Sequence, residues 1–322
     1  MRPSLGEELV PAAAFETLTA VAARLPLSTG GVSLETHLGR GEPRVDLVVR
    51  LFRPDRAVFS QTEDAWLEPV RRFVAGWSLP DGGLSHVTYA DVEIDLDGEA
   101  LRCFVGAMIE PRFAGGLRAI RKERLASASA TPSSCFDVGA RVLEVAEAEP
   151  IDTRVIDGVR RCFDSLGADA FVGYIGSLRT RTGRGDLVRM ITSMPRSEVR
   201  AFLGAIGWPG DVDALQRGVR RLLGDGDRLD LDLNVTRDGV TAETGFYQTF
   251  WDPTAEVTSL QRSLAWLVED GLVSTQQSTA LARFAAHELE PLGAPRTLTL
   301  KLKVSATGAI QAKVYLSLLS IE

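Results

Sequence analysis

The 322-residue chain is poor in several residue types that carry common functions. It has three cysteines, Cys103, Cys135 and Cys162, none of them in a Cys-x-x-Cys pair. Neither a disulfide scaffold nor a zinc site is indicated. Its three histidines, His37, His86 and His287, lie far apart in sequence, which argues against a histidine-rich metal centre. No run of 18 apolar residues occurs, so no spanning helix is expected. Met1 to Glu8 carries no apolar signal core, and a reducing cytoplasm is the expected location. The net charge of −7 argues against a general nucleic-acid or anionic-membrane surface. Lysine is scarce as well. Of 36 basic residues, only Lys122, Lys301, Lys303 and Lys313 are lysine.

What the chain does have is alternation. Hydrophobic residues make up 45% of it, enough for a large core. Period-2 segments come in pairs, and helical segments separate the pairs. The strand pairs are Gly31–Gly39 with Val45–Arg53, Val87–Asp97 with Leu101–Arg112, and Phe171–Arg181 with Asp186–Met194. Two more follow: Arg228–Thr236 with Val240–Phe250, and Arg296–Ala306 with Ala309–Ser320. Asp97-Gly98, Gly183/Gly185, Asp238-Gly239 and Gly308 are the turn signals. Helices are expected over Ala13–Leu25, Ala65–Trp77, Phe136–Leu166 (broken at Glu149-Pro150), Ser197–Ile206, Val212–Leu223, Val257–Glu269 and Thr275–Leu289. Ser127–Ser134 reads as a surface loop. One α+β domain over residues 1–322 is expected. Ten antiparallel strands with helices on one face either leave two edges or close into a barrel, and closure removes the edges.

Parity then sorts the side chains. The polar, inward set is Ser33, Glu35, His37, Asp46, Arg50, Phe52, Tyr89, Asp91, Glu93, Asp95, Arg102, Phe104, Met108 and Glu110 on the first four strands. It continues with Arg189, Ile191, Ser193, Asp230, Asp232, Asn234, Glu243 and Tyr247. Thr299, Lys301, Lys303, Ser305, Gln311, Lys313, Tyr315 and Ser317 complete it. Tyr174 can face either way. Three of the four lysines fall on one face of the last hairpin, with Tyr315 beside them. Lysines so placed can gather a highly charged anion such as a diphosphate, or they can protect a sheet edge. Glu35 can act as a general base in a partly dry lumen, or pair with Arg50 or another lumen arginine. The acidic group Asp91, Glu93, Asp95, Asp230 and Asp232 can hold a divalent cation, receive a cationic part of a substrate, or form a solvated face. His37 reads as a hydrogen-bonding residue of the lumen rather than a ligand.

This organisation resembles the ABBA-fold, or PT-barrel, aromatic prenyltransferases, whose ten-stranded barrel is built from five ααββ units with helices outside. The residues that carry the likeness are Ala312-Lys313-Val314-Tyr315-Leu316 and, less specifically, Gly31–Gly39 with its inward Glu35. In length and style the chain is similar to the cyanobactin-type enzymes that modify ribosomal peptides. The resemblance implies prenyl transfer from a prenyl diphosphate co-substrate to an aromatic or peptide acceptor in the lumen, with the metal requirement unspecified. It implies Glu35 as the base or cation-stabilising carboxylate. Arg50, Arg189, Lys303, Lys313 and Tyr315 become the wall for diphosphate and allyl cation. Inward parity adds Lys301, Tyr247, Tyr89, His37 and Glu243 as substrate contacts. Two departures support a second reading. The chain has only four tyrosines, and its lumen is more acidic than a diphosphate pocket should be. The second reading is a barrel of this type that modifies or binds a peptide, as a cyclase or a non-catalytic subunit, and uses no diphosphate.

Overall fold

The computed structural model describes residues 5–26, 30–39, 44–79, 82–85, 87–96, 101–110, 132–179, 186–224, 226–286 and 296–319. The turns at Asp97-Gly98 and Gly183/Gly185, residues 127–131 of the serine-rich segment, Lys122, His86 and His287 lie outside the described residues. Ten antiparallel strands form one closed barrel in the order β1-β10-β9-β8-β7-β6-β5-β4-β3-β2. The strands are β1 (Gly31–His37), β2 (Val45–Phe52), β3 (Tyr89–Asp95), β4 (Arg102–Met108) and β5 (Phe171–Ser177). They continue with β6 (Leu187–Pro195), β7 (Arg228–Thr236), β8 (Gly239–Phe250), β9 (Arg296–Val304) and β10 (Ile310–Leu319). Successive strands pair as expected, and β1 closes the barrel on β10, from Gly31 opposite Leu319 to His37 opposite Lys313.

Helices cover the outside. They are α1 (Ala12–Ala22), α2 (Arg56–Phe59), α3 (Glu68–Ser78), α4 (Pro132–Ala146) and α5 (Thr153–Asp164). After these come α6 (Val199–Ala205), α7 (Val212–Leu223), α8 (Val257–Glu269) and α9 (Thr275–Ala286). Side-chain chemistry sets several ends. Asp152 accepts from the Arg154 amide at the start of α5, and Asp211 accepts from the Asp213 and Ala214 amides at the start of α7. Each satisfies amides that the helix leaves without partners. Gly224 ends α7 at φ 56°, a backbone shape that suits glycine. The small α2 and the 3₁₀ turn before it, Arg53–Asp55, were not expected. They are too short to show a period, and the Asp55 carboxylate holds them by accepting from the Phe52 amide.

The outward face of each strand and the inner faces of the helices form one core. Leu298, Leu300, Leu302 and Val304 of β9 sit in it with Val314 and Leu316 of β10 and Phe246 of β8. The lumen thus has a continuous apolar jacket that excludes water from its wall. Two irregularities matter inside. The β5–β6 register shifts between Val172 and Tyr174, so Val172 joins the outer core while Tyr174 turns inward. Glu110 departs from its expected lumen position. The strand pairing of β4 ends at Met108, and the Glu110 carboxylate lies 3.6 Å from the Cys135 sulfur on α4, in the helical layer.

Glycine lets the barrel close tightly at one point. Gly106 and Gly176 face each other across β4 and β5. A Cβ on Gly176 would lie 2.8 Å from the Gly106 Cα, whereas one on Gly204 in α6 would meet nothing within 4 Å. Gly176→Ala should therefore destabilise the fold by about 1–3 kcal/mol through overpacking. Gly204→Ala should stabilise it by about 0.5–1 kcal/mol through the loss of unfolded-state freedom. Urea denaturation of the two variants checks both signs.

Candidate functional site

The lumen divides along its axis. At the end carrying the hairpin turns, it is filled by charge pairs. Lys313 reaches Glu35, Lys301 reaches Asp232 and Lys303 reaches Glu243, all in direct contact. Glu35 and Lys301 are each only 1% exposed. The Arg189 Nη1 lies 2.8 and 3.0 Å from the two Glu93 oxygens, and its Nε is 3.7 Å from Asp232. Tyr247 donates its hydroxyl to Asp232 at 3.0 Å. A single network therefore runs Glu93–Arg189–Asp232–Lys301, with Tyr247 on its side. Arg50 makes a two-pronged pair with Asp91, at 2.8 and 3.0 Å.

The local electrostatics follow from burial and pairing. Burial pushes the Lys301 ammonium down to about 8 against the pull of Asp232. Burial alone would raise Asp232, but Lys301 and Arg189 outweigh it and hold the carboxyl below its usual value. The pair is thus ionised at neutral pH. Burial raises Tyr174, Tyr247 and Tyr315 well above the usual phenol value, and Tyr89 to about 12. All four stay neutral rings. Burial, with Lys313 next, lowers His37 to about 4.

The other half of the lumen holds a cavity of about 160 Å³. Its wall includes Arg50, Arg189, Asp91, Glu93, Asp230 and all four tyrosines of the chain, Tyr89, Tyr174, Tyr247 and Tyr315. Two of these rings already face a protein cation. The Arg50 guanidinium sits 4.1 Å from the Tyr89 ring centre, and the Lys301 ammonium 4.9 Å from that of Tyr247. Tyr247 and Tyr315 lie side by side, with centres 6.3 Å apart.

Of the candidates named from sequence, Arg50, Arg189, Tyr89, Tyr247 and Tyr315 line this cavity. Glu35, His37, Lys301, Lys303, Lys313 and Glu243 do not. They belong to the paired end of the barrel. The three hairpin lysines do not converge on one open point, because a separate carboxylate holds each ammonium. Glu35 pairs with Lys313. Tyr174, Trp251, Thr249 and Thr297 also line the cavity and were not named as site residues. The bulge before Tyr174 hid its parity, and Trp251 lies past the end of β8, where alternation gives no direction.

Among the described residues, one cluster could hold a metal ion. Glu35, His37 and Asp46 each offer a ligand atom within 4.8 Å of the others. Lys313 already pairs with Glu35, and the Arg44 Nε lies 3.7 Å from Asp46. The carboxylate charge at this cluster is therefore offset by side chains, and the donor set does not favour a divalent cation.

No known family matches the sequence, and no curated protein does. Solved structures do match the fold, which is the PT barrel. AnaPT from Neosartorya fischeri is similar at TM-score 0.53 and 11% identity, over 90% of this chain and 78% of that one. The 5-dimethylallyl tryptophan synthase from Streptomyces coelicolor, in complex with DMASPP and Trp, is similar at 0.53 and 13%, over 96% and 89%. PriB, in binary complex with product diphosphate, is similar at 0.52 and 15%, over 96% and 90%.

Three outcomes follow from the paired end. Lys313→Met takes the ammonium away from the buried Glu35 carboxylate and should cost about 3–5 kcal/mol in chemical denaturation. Glu35→Leu combined with Lys313→Met should recover most of that loss, because an apolar pair needs no compensation. His37 titrates at about 4 in the folded chain against an ordinary 6.5. Between these values the unfolded chain binds a proton that the native state does not. The stability tied to His37 is therefore complete above pH 6.5 and lost as pH falls through 4. A His37→Gln variant should lose less stability than the parent over that window in melts at stepped pH.

Proposed function

We propose that the chain is a prenyltransferase-like enzyme that moves a prenyl group from a prenyl diphosphate to an aromatic or peptide acceptor, in the assembly of a ribosomal-peptide natural product. One observation carries this reading: all four tyrosines of the chain line a single lumen cavity. Tyrosine faces are electron-rich and lower the energy of a cation held over them. Leaving of the diphosphate generates an allylic cation, and the acceptor then attacks it. The solved structures of this fold support the choice of donor. PriB was captured with product diphosphate, and the Streptomyces enzyme with DMASPP and Trp. In this reading Arg50 and Arg189 in the wall exchange Asp91 and Glu93 for phosphate oxygens, with Lys301, Lys303 and Lys313 behind them. Tyr89, Tyr247 and Tyr315 shield the cation. Glu35 takes the proton released by the acceptor after parting from Lys313, while His37 and Glu243 order the polar end of the lumen.

A specific observation favours the second reading. Each of Arg50, Arg189, Lys301, Lys303 and Lys313 contacts a carboxylate. A diphosphate entering the lumen must displace those carboxylates, which then lie close to it and repel it. In this second reading the barrel modifies or binds a peptide and uses no diphosphate.

Thermal shift with dimethylallyl, geranyl and farnesyl diphosphate separates the two. A ligand at 100 times its Kd stabilises the native state by about 2.7 kcal/mol. The first reading expects such a shift for at least one chain length, with prenylated acceptor seen by mass spectrometry. No shift at any length removes it and leaves the second.

A further inference from the structure

We infer that Asp91 and Glu93 are built-in competitors for an anion: they occupy the two arginines of the cavity wall and yield them to a two-headed anion of the diphosphate class. This control rests on reading the cavity as the binding site, and it does not require prenyl transfer.

One strand supplies both competitors. Asp91 and Glu93 lie two residues apart on β3, so their side chains leave the same face about 6–7 Å from each other. Their partners come from different walls. Arg50 stands opposite Asp91 on the neighbouring β2, whereas Arg189 reaches Glu93 from β6, across the lumen. All four side chains line the cavity. An anion that enters it therefore meets both guanidiniums, each with a carboxylate already in place.

The two ties differ in quality. Arg50 gives two nitrogens, Nε and Nη2, to the two Asp91 oxygens at 2.8 and 3.0 Å. That is the two-pronged fit of a guanidinium to a carboxylate. Glu93 instead takes both of its contacts from one nitrogen, the Arg189 Nη1. The Arg189 Nε is buried and has no hydrogen-bond partner. Asp232 is 3.7 Å from it, too far for a hydrogen bond, and the other Asp232 oxygen accepts from Lys301 and Tyr247. Arg189 is thus held by charge with its fork unfilled. A phosphoryl group can fill that fork, and Glu93 in this pose does not.

Competition then defines the ligand. A one-headed anion can take Arg189, but it leaves the Arg50–Asp91 pair closed and sits near the Asp91 charge. A diphosphate offers a head to each arginine and replaces both carboxylates at once. Parting two ion pairs makes bare diphosphate a weak ligand. A prenyl diphosphate adds the contact of its chain with the tyrosine rings. Once the chain has left, Asp91 and Glu93 retake the arginines, so the same pair favours departure of the product diphosphate.

The test uses the full chain with inorganic diphosphate and inorganic phosphate as probes, at constant ionic strength. In calorimetry the double variant Asp91→Asn, Glu93→Gln should bind diphosphate at least tenfold more tightly than the parent does. It should also prefer diphosphate to phosphate at least tenfold. Adding Arg189→Gln should remove the gain. Without ligand the double variant should melt below the parent, because its arginines have lost their carboxylates, and diphosphate should raise its melting temperature more than the parent's. A double variant that folds only when diphosphate is present meets the same expectation; one that stays unfolded in diphosphate overturns the inference. Equal diphosphate affinity of parent and double variant also overturns it, as does phosphate binding as tight as diphosphate, or no saturable diphosphate binding by the double variant. A gain in the double variant, with no response of the parent to any prenyl diphosphate, leaves the competitors standing while the prenyl-transfer reading falls. A parent that responds to a prenyl diphosphate, with no gain on removal of the carboxylates, keeps that reading and removes the competitors.

Discussion

The seam between the first and last strands is the constraint on which the rest of the molecule depends. β1 and β10 come from opposite ends of the sequence and pair over seven positions. Ser33 and Ser317 hydrogen-bond across the seam at 2.7 Å, and the Lys313 ammonium meets Glu35 there in a site closed to water. Without that pairing the sheet has two free edges, and its polar face is open to solvent. With it, that face becomes a lumen in which a charge must find a partner or pay for its burial. The seam thus converts a run of alternating polar residues into a demand for pairing.

The lumen meets that demand unevenly. Toward the hairpin turns, Arg189, Lys301, Lys303 and Lys313 each have a carboxylate against them, and a network crosses the barrel from Glu93 on β3 to Lys301 on β9. A buried pair of this kind contributes little net stability, but the loss of one member is costly. That end therefore acts as a rigid floor. The other half keeps a cavity, four neutral tyrosines and an aspartate whose partner is a serine hydroxyl. Both functional readings draw on this division. The tyrosine rings serve a developing cation in one, and the matched lysines and arginines weigh against a diphosphate in the other.

Much of this was legible in advance, for a plain reason. Strand side chains alternate between two faces, so a polar parity beside an apolar parity identifies a wall with one wet and one packed side. Ser33, Glu35, Asp91, Glu93, Asp230 and Asp232 were read as facing inward on that basis, and the strand registers place them there. Alternation failed where a strand breaks its own period. The bulge before Tyr174 turned a residue of uncertain direction into a cavity wall, and the end of β4 let Glu110 swing to the helices.

The order of residue types by itself determined the strand pairs, their two faces, and the concentration of lysine on the last hairpin. These are local properties, set by spacing of two residues along a strand and by the glycine turns that join neighbours. Only the tertiary structure decided which charges meet. Glu93 and Arg189 stand on β3 and β6, with β4 and β5 between them, and touch across the lumen because the barrel is closed and narrow. The lysines of the last hairpin read as one anion-gathering cluster in sequence, but in space each belongs to a different carboxylate. Electrostatic partnership depends on distance through the lumen, and distance through the lumen is not a property of any one strand.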